Sequence, residues 1–271
     1  MRLAVAATAP LGADVLERLA SKHEIAYLLT RPDRPRGRGR RVGPPPAKET
    51  AERLELEVRQ PERLGADFDP GEDVVVVAAY GVLIPDAALD RALWLNVHPS
   101  LLPRWRGAAP IERALMAGDR ETGVTIHRTT SELDAGPIAA QRAFEVSEED
   151  DFGSISSRAA EVAVELLDEV LPEPSFTPQP EEGVTYAEKI EPADRELDWS
   201  RPPHELLNQI RALSPHIGAR GLVDGKPLTV WRAVPAGPDA ELIADGLELL
   251  EVQPAGRRRM TGAEYLRGLR G

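Results

Sequence analysis

The stretch DVVVVAA (residues 73–79) is almost wholly apolar and β-branched. A strand with one face in water alternates apolar and polar residues, so an unbroken run predicts a strand covered on both faces, as in a parallel sheet. Outward on the N-terminal side, LAVAAT (3–8) reads as a short buried strand and ADVLERLASKH (13–23) as a helix. EIAYLLT (24–30) follows as a second strand and AKETAERLEL (47–56) as a second helix. On the C-terminal side, WLNVHPS (94–100) predicts the next strand and AAPIERALMAG (108–118) a helix closed by glycine. GVTIHRTT (123–130) and PIAAQRAFEV (137–146) add two strands. SISSRAAEVAVELLDEVL (154–171) is amphipathic, with Ala160, Val164, Leu167 and Leu171 at three- and four-residue steps. Alternating strands and helices give an α/β sheet domain as far as residue 172. PEPSFTPQPEEG (172–183), with four prolines and no apolar period, then reads as a linker. Beyond it, HELLNQIRAL (204–213) predicts a helix, and GARGLVDGKPLTVWRAVPA and DGLELLEVQPAG predict short strands punctuated by DG and PAG turns. A small β-barrel or sheet is the expected second module.

Composition narrows the function. At 271 residues, the chain accommodates one large domain or a medium one with a small partner, and no apolar run reaches the ~20 residues of a membrane helix. The N-terminus suits a first strand and helix better than a signal peptide, which predicts a cytoplasmic protein. The absence of cysteine excludes disulfides, thiolate catalysis and cysteine-ligated zinc, and the five histidines never pair at helical ligand spacing. No metal is implied. A net charge of −12 opposes nonspecific contact with nucleic acid, so any such contact is local. Basic residues cluster in TRPDRPRGRGRRVGPPP (30–46), with six arginines, and at Arg257–Arg259.

The usual chemistries of such sheets lack their motifs. The turn after the first strand, AATAPLGA, has one glycine, Gly12, where a dinucleotide needs three; no GxSxG surrounds Ser100, and no GxxxxGK[ST] occurs. What remains is Asn96, His98 and Ser100 at alternate positions of one strand end, hence on one face, with Asp134 in the turn ELDAGP. An amide and an imidazole can stabilise the oxyanion formed when a carbonyl is attacked, and a carboxylate can hold the histidine protonated or relay protons. Spacing alone leaves open the alternative of a hydrogen-bonded core histidine and an ordinary turn aspartate.

The segment LNVHPSLLPRWRGAAPIERALMAGDRETGVTIHRTTSELDAGPI (95–138) closely resembles the methionyl-tRNA formyltransferases, which formylate the methionine of initiator tRNA from 10-formyltetrahydrofolate. The resemblance extends through TRPDRPRGRGRR, AAYGVLIP (78–85), VTYAEKI and LDWS (184–200) and LLEVQPAGRRRM (249–260). It implies a Rossmann-like formyltransferase domain with a mainly parallel sheet over 1–177, a linker over 178–200, and a small OB-like β-barrel over 201–271 for tRNA binding. It implies Asn96, His98 and Asp134 as catalytic residues. The pterin of the folate co-substrate would lie along Tyr80, Gly81, Val82, Leu83 and Ile84, with Ser100, Leu101, Leu102 and Pro103 shaping the pocket floor and Gly136 beside it. Arg34, Arg36, Arg38, Arg40 and Arg41 would meet the acceptor stem of initiator tRNA, as would Arg257 and Arg258. Arg104 and Arg106 would meet either the folate glutamate or the tRNA end. A cytoplasmic monomer without metal is expected.

Three departures stand out. AATAPLGA replaces the family's AGTPDFA; His127 stands where methionine or glutamine is usual and reads as an ordinary strand residue; and about fifteen residues are missing between VWRAV (230–234) and LELLEVQPAG. Closing an OB barrel takes about five strands, so a thinned or open barrel with a weaker grip on tRNA is expected. An amino-sugar N-formyltransferase sharing the same triad, and a non-catalytic folate- or RNA-binding paralogue, are the alternatives.

Overall fold

In the computed structural model, which describes residues 1–36 and 41–270, the chain opens with β1 (Arg2–Ala7), α1 (Pro10–Ala20) and β2 (Glu24–Leu29). A short pair, β3 (Arg34–Arg36) and β4 (Arg41–Gly43), precedes α2 (Pro46–Arg53), β5 (Val58–Arg59), β6 (Val74–Ala78), α3 (Asp86–Leu89) and β7 (Leu93–His98). Then come β8 (Arg106–Gly107), α4 (Pro110–Ala117), β9 (Glu121–Arg128), β10 (Ile138–Glu145), α5 (Phe152–Val170) and β11 (Tyr186–Ala187). The chain divides into two compact units: Met1–Ala108 with Thr122–Phe144 and Ser156–Tyr186, and Ala109–Glu121 with Glu145–Ile155 and the residues from Ala187 on.

The first unit is built on a seven-stranded sheet of order β10-β9-β7-β6-β1-β2-β5. β1 runs parallel to β2 and β6, β6 to β7, and β2 to β5; β9 is antiparallel to β7. The strand order reverses at β1 and β6, and a crevice opens beyond the carboxyl ends of strands at such a reversal. The all-valine run is explained by two apolar layers. Val74, Val76 and Ala78 join Leu3, Val5, Leu16, Leu19 and Leu167 in one, while Val75 and Val77 join Ala4, Ala6, Tyr27, Tyr80 and Trp94 in the other. The polar tips buried in the second layer are satisfied: Tyr27 Oη donates to the Pro70 carbonyl at 2.8 Å and Trp94 Nε1 to that of Ala88 at 2.9 Å. Gly12 lets α1 approach the sheet, because a Cβ there would stand 2.3 Å from the Ala78 carbonyl oxygen and 2.8 Å from Ala7 Cβ.

The second unit contains α6 (Pro203–Leu213), β12 (Ala219–Val223), β13 (Lys226–Pro235), β14 (Ile243–Ala244), β15 (Leu247–Pro254), β16 (Met260–Thr261) and α7 (Gly262–Arg270). Its antiparallel strands run β12-β13-β15-β14 with β16 beside β15, an open half-barrel in place of a closed one. Both DG dipeptides make two-residue hairpins: Asp224 and Gly225 have φ 50° and 74°, Asp245 and Gly246 φ 46° and 77°. Paired positive φ values are those of the type I′ turn, whose twist suits flanking strands. Leu206, Ile210 and Leu213 of α6 pack on Ala219, Val230, Leu249 and Val252, and Leu197 joins the same core. Among the described residues, no helix is long and apolar enough to cross a membrane.

Replacing Gly12 with Ala forces a methyl group against a backbone carbonyl that cannot rotate away. A loss of about 1–3 kcal/mol is expected for the first unit, read as an earlier urea transition. An unchanged midpoint would show that α1 can shift without cost.

Candidate active site

Cross-strand pairing brings the polar residues together. In the β7–β9 ladder, Asn96 stands opposite His127 and His98 opposite Thr125, and two-residue alternation places all four side chains on one face. His98 is 3% exposed and His127 1%. The β9–β10 loop then turns through Asp134, whose φ of 47° is one that aspartate tolerates better than most residues. This turn aims the carboxylate at the strand face. Asn96 Nδ2 donates to Asp134 Oδ1 at 3.2 Å, the Gly107 N–H donates to Oδ2 at 2.9 Å, and His98 Nδ1 lies 3.6 Å from Oδ2. His127 Nε2 lies 3.6 Å from Oδ1 and 2.9 Å from Asn96 Nδ2. The far nitrogen of His98, Nε2, is 2.8 Å from the Trp105 carbonyl, which can only accept, so Nε2 carries a hydrogen.

Burial and charge compete at these groups. Burial pushes the His98 imidazole below its ordinary value, and the opposing effects of Asp134 and the Trp105 carbonyl do not reverse it. His98 is therefore neutral at neutral pH, which suits the proton relay of the two roles left open by the sequence. Burial also pushes the Asp134 carboxyl upward, but the neighbouring His127 and His98 rings and the Gly107 N–H together hold it below its ordinary value. The site thus pairs an ionised carboxylate with a neutral base.

The loop after β7 is fixed by polar contacts. Ser100 Oγ donates to the Arg104 carbonyl at 2.7 Å. Thr125 Oγ1 donates to the Ser100 carbonyl at 2.7 Å and accepts from the Leu102 N–H at 3.1 Å and from Gln141 Nε2 at 2.7 Å. Trp105 sits at φ 65°, a strained conformation for a bulky residue, and its N–H donates to Thr185 Oγ1 at 2.9 Å. Gln179 ties the two sides of the site. Its Nε2 donates to the carbonyls of Asp134 and Gly136 at 2.7 and 2.8 Å, while its Oε1 accepts from Arg106 Nη2 and Nε at 2.7 and 3.0 Å. Nothing in its proline-rich surroundings signals this role, and the histidine opposite Asn96 also escapes a reading made without strand register.

Other expected site residues fall into different settings. Tyr80 and Ile84 are buried in the second apolar layer, whereas Leu83 is 81% exposed and Val82 half-buried, so the loop presents Leu83 outward from a fixed base. Gly81 takes φ 69° beside the Arg31 guanidinium. Ser100 and Leu102 are buried, and Leu101 and Pro103 half-buried. Gly136 passes so close to β9 that a Cβ would fall 1.8 Å from the Arg128 carbonyl oxygen. Arg106, expected to face folate or tRNA, is 8% exposed with its guanidinium on Gln179, and Arg104 stacks at 4.4 Å over Trp105. Arg34, Arg36 and Arg41 belong to the β3–β4 pair, with Arg34 opposite Gly43 and Arg36 opposite Arg41; Arg38 and Arg40 lie outside the described residues. In the second unit, Arg257 and Arg258 line an open recess of about 610 Å³ with Met260, Glu264 and Tyr265.

The chain matches the Formyl transferase family over residues 1–171 and its C-terminal domain family over residues 189–246. It is 42% identical to the methionyl-tRNA formyltransferase of Paracoccus denitrificans over 292 residues, covering 99% of this chain and 98% of that one. The chain belongs to the methionyl-tRNA formyltransferase family. Its fold is that of the methionyl-tRNA formyltransferase of Clostridium thermocellum, with TM-score 0.63 and 17% identity over 97% of this chain and all of that one. HypX of Aquifex aeolicus, solved in complex with tetrahydrofolic acid, shares the fold with TM-score 0.66 and 20% identity over 98% of this chain and 46% of its own.

Two outcomes follow from the site's geometry. The unfolded chain protonates His98 near its ordinary pKa of 6.5 and the folded one at a lower value, so the unfolded state binds more protons as pH falls and stability declines in that direction. In His98→Gln this slope is expected to flatten, by up to about 1.4 kcal/mol per pH unit below neutrality, in urea unfolding. Gln179→Ala, which releases the Asp134 turn, is expected to lower formyl-transfer kcat roughly 10- to 100-fold with the fold intact by circular dichroism. Unchanged turnover would reduce the Gln179 clamp to a packing detail.

Proposed function

We propose that this formyltransferase moves the formyl group of 10-formyltetrahydrofolate to the α-amine of methionine on initiator tRNA. The observation that carries the reading is the set of buried His98 with half-buried Asn96 and Asp134 at the carboxyl end of β7, in a chain of this family. The amine nitrogen attacks the formyl carbon, the C–O double bond opens, and the resulting oxyanion meets the N–H donors of the site. One such donor is worth about 3 kcal/mol of barrier.

His98, held neutral by burial, has its remaining lone pair at Nδ1 and can take the proton that the attacking amine loses. The imidazolium so formed lies beside the Asp134 carboxylate, whose attraction offsets the cost of a buried charge. Collapse of the tetrahedral species breaks the bond to N10, which leaves as the secondary amine of tetrahydrofolate after receiving a proton. The products are formylmethionyl-tRNA and tetrahydrofolate, with no net oxidation.

In this reading, residues 1–177 form the catalytic domain, 178–200 the connection and 201–271 the tRNA-binding domain of a cytoplasmic monomer. The loop from Tyr80 to Ile84, with Ser100 to Pro103 and Gly136, holds the folate. Arg34, Arg36, Arg38, Arg40 and Arg41 engage the acceptor stem through phosphate contacts, aided by Arg104, Arg257 and Arg258. Support for a local contact comes from the net charge of −12, which opposes nonspecific binding of nucleic acid.

The decisive assay is transfer of labelled formyl from 10-formyltetrahydrofolate to charged initiator tRNA, with elongator methionyl-tRNA and nucleotide-linked amino sugars as competing acceptors. Preference for a sugar, or folate binding without turnover, would overturn the reading. Asp134→Asn and His98→Ala are expected to lose roughly 100- to 1,000-fold in kcat while still binding folate. Arg38→Ala is expected to raise KM for tRNA without weakening folate binding, and unchanged tRNA kinetics would remove the arginine loop from the interface.

A further inference from the structure

The Asn96 amide has two N–H bonds and both have partners: His127 Nε2 at 2.9 Å and Asp134 Oδ1 at 3.2 Å. On its other side, His127 Nδ1 is 3.0 Å from the Arg128 carbonyl. A carbonyl oxygen only accepts, so Nδ1 carries the ring hydrogen of the neutral imidazole and Nε2 carries the lone pair. Nε2 lies 3.6 Å from Asp134 Oδ1, beyond hydrogen-bond reach, and 2.9 Å from the Asn96 amide, and is therefore the acceptor for Asn96. At 1% exposure, His127 sits where water cannot replace a lost acceptor, and a buried N–H left without one is costly. A 180° turn of the amide would aim its oxygen at the Nε2 lone pair and at the Asp134 carboxylate together.

We propose that His127 is the positioning residue of the transfer centre: opposite Asn96 in the β7–β9 pair, its Nε2 lone pair anchors one amide N–H and leaves the other for the oxyanion. The inference rests on the formyl-transfer reading above. At rest, the second N–H occupies the longer contact, to Asp134. When that N–H turns to the developing oxyanion, the bond to His127 is what keeps the amide from rotating and presenting its carbonyl to a negative charge. The register makes this a property of the sheet, since Asn96 and His127 are direct neighbours across the ladder. The partner of His98 in the ladder, Thr125, orders the backbone of the following loop in the same way. β9 thus serves as the template on which β7 presents its catalytic pair.

The test combines kinetics with a tautomer measurement. His127→Phe keeps a ring but removes the acceptor, and is expected to lower kcat about 10- to 100-fold while both KM values stay within about threefold. His127→Gln restores an acceptor through its side-chain oxygen and is expected to recover most of that loss. In ¹⁵N-histidine-labelled wild type, the His127 signals, assigned by their disappearance in His127→Gln, should show a protonated Nδ1 and a lone-pair Nε2 at neutral pH. Full activity of His127→Phe, a Gln variant as slow as Phe, or a hydrogen on Nε2 would each overturn the proposal. Should the Phe variant fail to fold, the tautomer and the Gln variant still decide it. Wild-type protein that does not formylate methionyl-tRNA would refute the functional reading, while the nitrogen spectrum would still test the anchor.

Discussion

Both oxygens of Asp134 are held by N–H donors, from Asn96 at 3.2 Å and from the Gly107 backbone at 2.9 Å, with the imidazoles of His98 and His127 each 3.6 Å away. A buried carboxylate without such partners would take up a proton. Here the N–H donors and the neighbouring imidazoles outweigh burial, and the group stays ionised. Much of the first unit's local architecture supplies this arrangement: the left-handed turn at Asp134, the Gln179 clamp on its carbonyl, and the strained Trp105 that turns the loop toward Gly107. A neutral His98 beside a fixed negative charge is prepared to receive a proton, as general-base catalysis near neutral pH requires.

The sheet provides the rigidity on which that geometry depends. Its central strands are buried on both faces, so Asn96 and His98 project from a β7 fixed by β6 on one side and β9 on the other. The antiparallel β9 matters as much as the parallel core. It contributes His127 and Thr125 directly across from Asn96 and His98, which successive residues of a single strand could not do.

The valine run, the two-residue alternation of Asn96 and His98, the glycine that closes α4 and the DG hairpins were legible in the sequence because each follows from a local rule. Gly118 at φ 73° and the paired positive φ values of both DG turns are direct consequences of side-chain size. What escaped was set by distant pairing. His127 reads as an ordinary strand residue until the register places it opposite Asn96. Gln179 lies in a proline-rich stretch with no periodicity, although its amide binds the Asp134 turn. Arg106 looks like a surface cation in a loop, and its burial depends on Gln179, 73 residues away. Which of the two roles open to His98 in the sequence, a histidine held protonated or a proton relay, could not be read there for a related reason: proximity to a carboxylate is visible in a motif, whereas the desolvation that opposes it appears only in the packed structure.

The central claim is that Asp134, half-buried with its side chain 13% exposed, stays ionised because its neighbours compensate for lost water. Titration of the carboxyl carbons in ¹³C-aspartate-labelled protein, with Asp134 assigned against Asp134→Asn, tests it most directly. The account predicts protonation below the ordinary aspartate value of 3.8. Protonation above that value would mean that burial prevails, and would contradict a site organised around a fixed negative charge.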